Sequence, residues 1–118
     1  MDIEFNENNI IVFDSNPQGE FFSRASVIAK EFGADRNVLN GYANNSYAVC
    51  MYDSNMLNNK IPLFVIQRNF INMSVYAFSN QDKLFYLPYL GEGPCYYSSE
   101  IIESLMPHLP NNIKRIRL

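Results

Sequence analysis

The spacing of apolar residues changes partway along this chain, and this change most limits what the chain can fold into. Between positions 21 and 32, apolar residues recur at the spacing of one helical face, which predicts a helix. Gly33 follows, at a position that favours a left-handed C-terminal cap. From Tyr47 onward, shorter apolar runs with alternation are typical of strands. The helical set is Phe21, Phe22, Ala25, Ile28, Ala29 and Phe32.

The strand-like runs predict a sheet. A β-branched run from Ile10 to Phe13 predicts a first strand, and turn residues follow it. Four more strands are predicted at 47–52, 61–67, 71–78 and 84–87. Pro62 marks a strand start or a sheet edge. Because the last two connections are short enough for hairpins, we expect the later strands to form an antiparallel meander.

Further helical signals flank these strands. Asp35 is predicted to cap a short helical turn that reaches Tyr42. Ser98 or Ser99 is predicted to cap a last helix, with Glu100 favourably placed in its first turn. Residues 111–118 alternate weakly, so they form either a terminal strand or a flexible basic tail.

Together these elements predict an α+β fold. We expect residues 1–118 to form a single two-layer domain, with an antiparallel four- to five-stranded meander sheet and helices packed on one face. The length of 118 residues and the hydrophobic content of 47% suit one core.

Several classes of protein are disfavoured by composition. Two cysteines are too few for a disulfide scaffold. The acidic start, Met1-Asp2-Ile3-Glu4, does not resemble a secretory signal. No apolar stretch reaches the ~18 residues that a membrane span needs. We therefore expect a soluble protein in the cytoplasm.

Signals for catalysis are weak. Cys95 precedes a predicted helix, a location that can activate a thiol, but the single histidine, His108, follows that helix. The two would be roughly 15 Å apart at ~1.5 Å per residue. Gly91 and Gly93 resemble part of a phosphate-binding loop, but the third glycine is missing and Pro94 removes a donor. We predict no enzyme activity, no cofactor and no metal site; a small enzyme that uses Cys95 is a third hypothesis.

Charge is unevenly distributed along the chain. Up to Lys60 there are eight acidic and four basic side chains, whereas Lys114, Arg115 and Arg117 give the last five residues a basic character. An acidic surface repels nucleic acid and attracts a basic protein. We therefore expect a basic protein partner rather than a nucleic acid or a membrane.

Eight tyrosines suggest a contact surface, since Tyr is enriched at protein interfaces. We predict a small acidic protein-binding module, an inhibitor that docks on and occludes a basic, nuclease-like partner enzyme. Bacterial or phage immunity proteins, antitoxins and anti-defence proteins have this character. The alternative is a self-associating subunit, such as a homodimer. The predicted partner-binding residues are Asp14, Glu20, Asp53, Tyr86, Tyr89, Glu92 and Tyr96.

Overall fold

The computed structural model describes residues 6–52, 61–90 and 97–118. In chain order the described elements are β1 (Asn9–Ser15), α1 (Arg24–Glu31), β2 (Gly41–Ala43), β3 (Ser46–Cys50), α2 (Leu63–Phe78), β4 (Leu84–Pro88), α3 (Ser99–Ser104) and β5 (Ile113–Ile116).

The five strands form one mixed sheet in the order β2-β3-β1-β4-β5. β1 runs parallel to both β3 and β4, β4 runs parallel to β5, and only β2 and β3 pair antiparallel. The predicted α+β class and single compact domain are confirmed. The purely antiparallel meander is wrong, because helices rather than hairpins join the parallel strands, as parallel pairing requires.

The largest error concerns residues 61–78, where two strands were predicted. Leu63–Phe78 form the sixteen-residue helix α2, and Pro62 is its N-cap residue rather than a strand start. The apolar side chains buried along α2 follow the spacing i, i+4, i+7, i+11, which is a helical stripe. They are Ile66, Phe70, Met73 and Ala77, all fully buried.

Helices α2 and α3 pack on the same face of the sheet. Tyr76 of α2 contacts Phe85 of β4 edge to face, with ring centres 5.9 Å apart. Leu87, two residues further along β4, points to the same side and pairs with Arg115 of β5. Arg115 in turn forms an ion pair with Glu103 of α3.

Helix α1 covers the opposite face. Phe21, just before α1, contacts Phe13 of β1 with ring centres 6.1 Å apart. The neighbouring residue Val12 pairs with Tyr47, which contacts Tyr76 of α2 at 5.2 Å. Because neighbouring strand residues point to opposite faces, α1 and α2 lie on different sides. The prediction that all helices share one face is therefore wrong, and every residue of β1 is buried.

Most of the smaller predictions are confirmed, and one is wrong. Gly33 takes the expected positive φ, 90°, after α1. Ser98 caps α3 by accepting from the Ile101 amide, and residues 113–116 form a terminal strand. The short helix after Asp35 is absent from this described segment, because the Asp35 side chain accepts from the Asn37 amide in a local turn.

Candidate functional site: the outer face of helix α2

The residues predicted to bind a partner are scattered. Four lie in the described ranges, while Asp53, Glu92 and Tyr96 lie outside them, as does Cys95. Asp14 is the penultimate residue of β1 and Tyr89 follows β4, and both line one pocket. Glu20 lies in the exposed loop after β1, and Tyr86 lies on β4; neither reaches that pocket.

Asp14 lies in the core rather than on the surface. Its carboxylate is fully buried, and one oxygen accepts a short hydrogen bond from the Ser23 hydroxyl. Burial raises the pKa of Asp14 to about 6, against the lowering effect of the Ser23 bond. A buried side chain offers no surface to a protein partner, so Asp14 cannot contact a protein that docks on this fold.

The tyrosines serve mainly to pack and to hold charged side chains. Tyr76 contacts Tyr42, Tyr47 and Phe85, with ring centres 5.7, 5.2 and 5.9 Å away. Tyr89 has the guanidinium groups of Arg115 and Arg117 at 4.2 and 4.4 Å from its ring centre. Such cation–π contacts hold both arginines near the carboxyl end of the sheet.

A surface that the sequence did not predict runs along α2. Phe64, Ile71, Val75 and Phe78 are 70%, 44%, 59% and 68% exposed. With Arg68 they occupy positions i, i+4, i+7, i+11 and i+14, which share one side of a helix. We call these five residues the outer face of α2.

The outer face continues into a groove at the end of α2. Val75 and Phe78 form one wall of a groove of about 560 Å³, and His108 and Pro110 form the other. Ser74 donates a hydrogen bond of 3.0 Å to the His108 carbonyl, which ties this loop to α2. The groove is therefore a fixed depression beside an exposed aromatic ring.

The outer face carries almost no charge. Arg68 is the one charged residue among the sixteen of α2, all of which are described. A helix with apolar stripes on two opposite sides normally buries both of them. Covering the four apolar side chains would cost little desolvation, because the long Arg68 side chain can keep its guanidinium group in water.

Other kinds of site find little support in the described residues. They contain no group of three or more His, Cys, Asp or Glu side chains that could hold a metal ion. None of the helices they form is long and apolar enough to cross a membrane. Cys50 is buried in β3, as its apolar neighbours predict.

Comparison with known proteins identifies the fold but no family. No protein-family profile and no curated protein matches the chain. A protein of unknown function from Bacteroides thetaiotaomicron has a TM-score of 0.57 and 11% identity, over 96% of this chain and 89% of that one. The crystal structure of a second protein from Bacteroides thetaiotaomicron has a TM-score of 0.56 and 12% identity, over 100% of this chain and 94% of that one. At such identities the likeness shows the fold alone.

The sequence contained a signal for the outer face that the strand interpretation concealed. Alternation at Ile71, Met73, Val75 and Ala77 suggested one apolar strand face. On a helix these residues separate, so that Met73 and Ala77 are buried while Ile71 and Val75 are exposed. Counting matches to a helical period across the whole of 63–78 would have found two apolar stripes.

Proposed function

We propose that this protein is a protein-binding module that works through the outer face of α2, and that its partner there is a second copy of the chain. The observation that carries the proposal is the exposure of four large apolar side chains on one side of a nearly uncharged helix. Monomeric proteins rarely leave such contiguous apolar patches uncovered.

The spacing of the outer face makes it self-complementary. Phe64 and Phe78 lie seven residues before and seven residues after Ile71. If two copies pack antiparallel about a two-fold axis at Ile71, Phe64 of each copy meets Phe78 of the other. A two-fold interface requires this kind of self-matching surface.

The groove supplies a place for the protruding ring. Phe64 is the most exposed of the four apolar side chains, and the groove lies beside Phe78. In the antiparallel arrangement, Phe64 of one copy reaches the groove of the other, between Phe78 and Pro110. Burying an aromatic ring would stabilise the dimer by about 1.5–3 kcal/mol, and the two-fold axis makes this contact occur twice.

The experiment is sedimentation equilibrium of the wild type and of two variants. We expect the wild type to associate toward about 27 kDa, twice the chain mass of 13.7 kDa. Ile71→Glu should give a monomer, because it places two like charges against each other at the two-fold axis, and Ile71 is exposed enough to accept the change in the folded chain. Val27→Glu is the matched control: Val27 is 48% exposed on α1 and lies outside the interface.

The outcomes separate the candidates. A monomeric wild type at every concentration contradicts the proposal, as does an Ile71→Glu variant that still associates while folded. A monomer that instead retains a different protein through the same face would replace the second copy with a foreign partner.

The narrower prediction, an inhibitor of a basic enzyme of the immunity, antitoxin or anti-defence kind, rests on the charge layout and on the tyrosines of the sequence. The outer face contains Arg68 and no acidic residue, so such a partner would need another surface. The cytoplasmic location and the lack of enzyme activity likewise stay predictions. Co-purification with a basic protein from the native source, dissociated by salt, would support the inhibitor prediction.

A further inference from the structure

A small pocket opens where the sheet changes its direction of winding. β1 and β4 are neighbouring parallel strands, but the chain continues from β1 to β3 on one side and from β4 to β5 on the other. In open parallel sheets, ligands bind outside the carboxyl ends of the strands at such a switch point. The pocket lies there, between Asp14 at the end of β1, Ser23 at the start of α1 and Tyr89 after β4.

Asp14, which lines the pocket, has a buried acceptor that lacks a donor. Oδ1 of Asp14 accepts from Ser23, whereas Oδ2 is buried and has no hydrogen-bond partner in the described structure. A buried carboxylate oxygen without a donor is costly, since native proteins pair nearly all such groups. With the pKa of Asp14 raised to about 6, the group is largely ionised at neutral pH, and an ammonium or hydroxyl group would satisfy it.

The pocket also contains positive charge. Arg24 and Arg117 both line the pocket, and Arg117 is held against the Tyr89 ring. The Arg24 guanidinium donates to the main-chain oxygen of Leu118 at 3.1 Å, and Leu118 also lines the pocket. The eight-residue helix α1 begins here, so its first backbone N–H groups and the positive end of its dipole also favour an anion.

The size of the pocket limits the ligand. Its volume is about 140 Å³, well below the ~300 Å³ at which pockets for drug-sized molecules begin. A nucleotide or a peptide is therefore too large. The remaining class is a compact molecule that carries a hydrogen-bond donor and an anionic group close together.

We propose that this pocket binds a small carboxylate with a donor on the adjacent carbon, which is an α-amino acid or an α-hydroxy acid. Its amino or hydroxyl group donates to Oδ2 of Asp14. Its carboxylate lies between the guanidinium groups of Arg24 and Arg117 and the start of α1, where planar guanidinium groups pair well with carboxylates. This site is independent of the outer face of α2.

The test is a titration of the full chain with four small probes, followed by two-dimensional amide NMR. Alanine and lactate carry both groups, whereas propionate lacks the donor and ethylamine lacks the anion. We expect alanine or lactate to shift the amides of Ala25, Leu90 and Leu118 at millimolar concentrations. Propionate and ethylamine should bind about tenfold or more weakly, as expected for loss of one charge-assisted contact. The stronger of alanine and lactate identifies the donor.

Two variants locate the binding. Arg117→Gln should weaken binding of the preferred probe by about tenfold, because it removes one guanidinium from the pocket. Lys114→Gln removes the same charge from an exposed position on β5 and should leave binding unchanged. The proposal is overturned if neither alanine nor lactate shifts these amides, if propionate binds equally well, or if Arg117→Gln binds as the wild type does.

Discussion

At the residue scale, the buried carboxylate of Asp14 determines how stability depends on pH. Its folded pKa of about 6 exceeds its ordinary value of 3.8, because burial disfavours the charged form. The folded protein therefore holds this proton more tightly than the unfolded chain does. The resulting stabilisation is present near pH 4 and is lost as the pH rises through 6. This is the opposite of the usual behaviour of a carboxylate in an ion pair.

Asp14→Asn is expected to remove this dependence. Between about pH 4 and pH 7.5, the free energy of unfolding of the wild type should fall by roughly 2–3 kcal/mol more than that of the variant. Urea unfolding at both pH values, at one protein concentration, measures the difference. Parallel curves for the two proteins would show that Asp14 titrates normally in the folded state.

Asn112 holds the turn between α2 and β4 in place. Its side-chain amide donates to the carbonyls of Ala77, Asn80 and Lys83 at 2.8, 3.2 and 3.1 Å. Asn112→Ala would leave these carbonyls without that donor and should lower the free energy of unfolding by about 2 kcal/mol. The matched control is Asn111→Ala at the exposed neighbouring position, which should change stability by less than about 0.5 kcal/mol. Equal effects of the two substitutions would contradict this role.

At the element scale, the caps of the short helices are local and predictable. Ser98 accepts from the Ile101 amide at the start of α3. Ser98→Ala should cost about 1 kcal/mol, a typical value for loss of an N-cap. Ser104 lies at the other end of α3, where its hydroxyl donates to the Ile101 carbonyl, so Ser104→Ala is the control and should cost less. Denaturant unfolding of both variants measures the two losses in the free energy of unfolding. A larger loss for Ser104→Ala than for Ser98→Ala would argue against the cap.

The elements that local rules describe were predicted well, and α2 was not. β1, α1 and α3 each have a signal within a few residues, such as a β-branched run or a capping serine, whereas the weak alternation of 111–118 left β5 open between a strand and a tail. α2 is apolar on two sides because one side packs on the sheet and the other lies exposed. Two apolar stripes on one helix mimic the alternation of a strand, and only tertiary packing separates them.

At the scale of the whole molecule, the error in α2 decided the topology. Two predicted strands in place of α2 turn the one crossover from β3 to β4 into a series of hairpins, so an antiparallel meander followed directly. The parallel sheet brings the ends of β1 and β4 together, and hence Asp14 next to Tyr89. Both residues were predicted to bind a partner. The pocket that they share depends on the order of the strands in the sheet, which no local sequence pattern encodes.

The central claim is that two copies meet at Ile71, and a single crosslink tests it most directly. Ile71→Cys, in a chain whose Cys50 and Cys95 are replaced by Ala and Ser, places one thiol at the proposed two-fold axis. On mild oxidation we predict a disulfide-linked dimer at concentrations where Val27→Cys, in the same background, stays monomeric. A disulfide needs the two Cα atoms within about 7 Å of each other, so only this register permits it. Failure of Ile71→Cys to crosslink, or equal crosslinking of Val27→Cys, would contradict an interface centred on the outer face of α2.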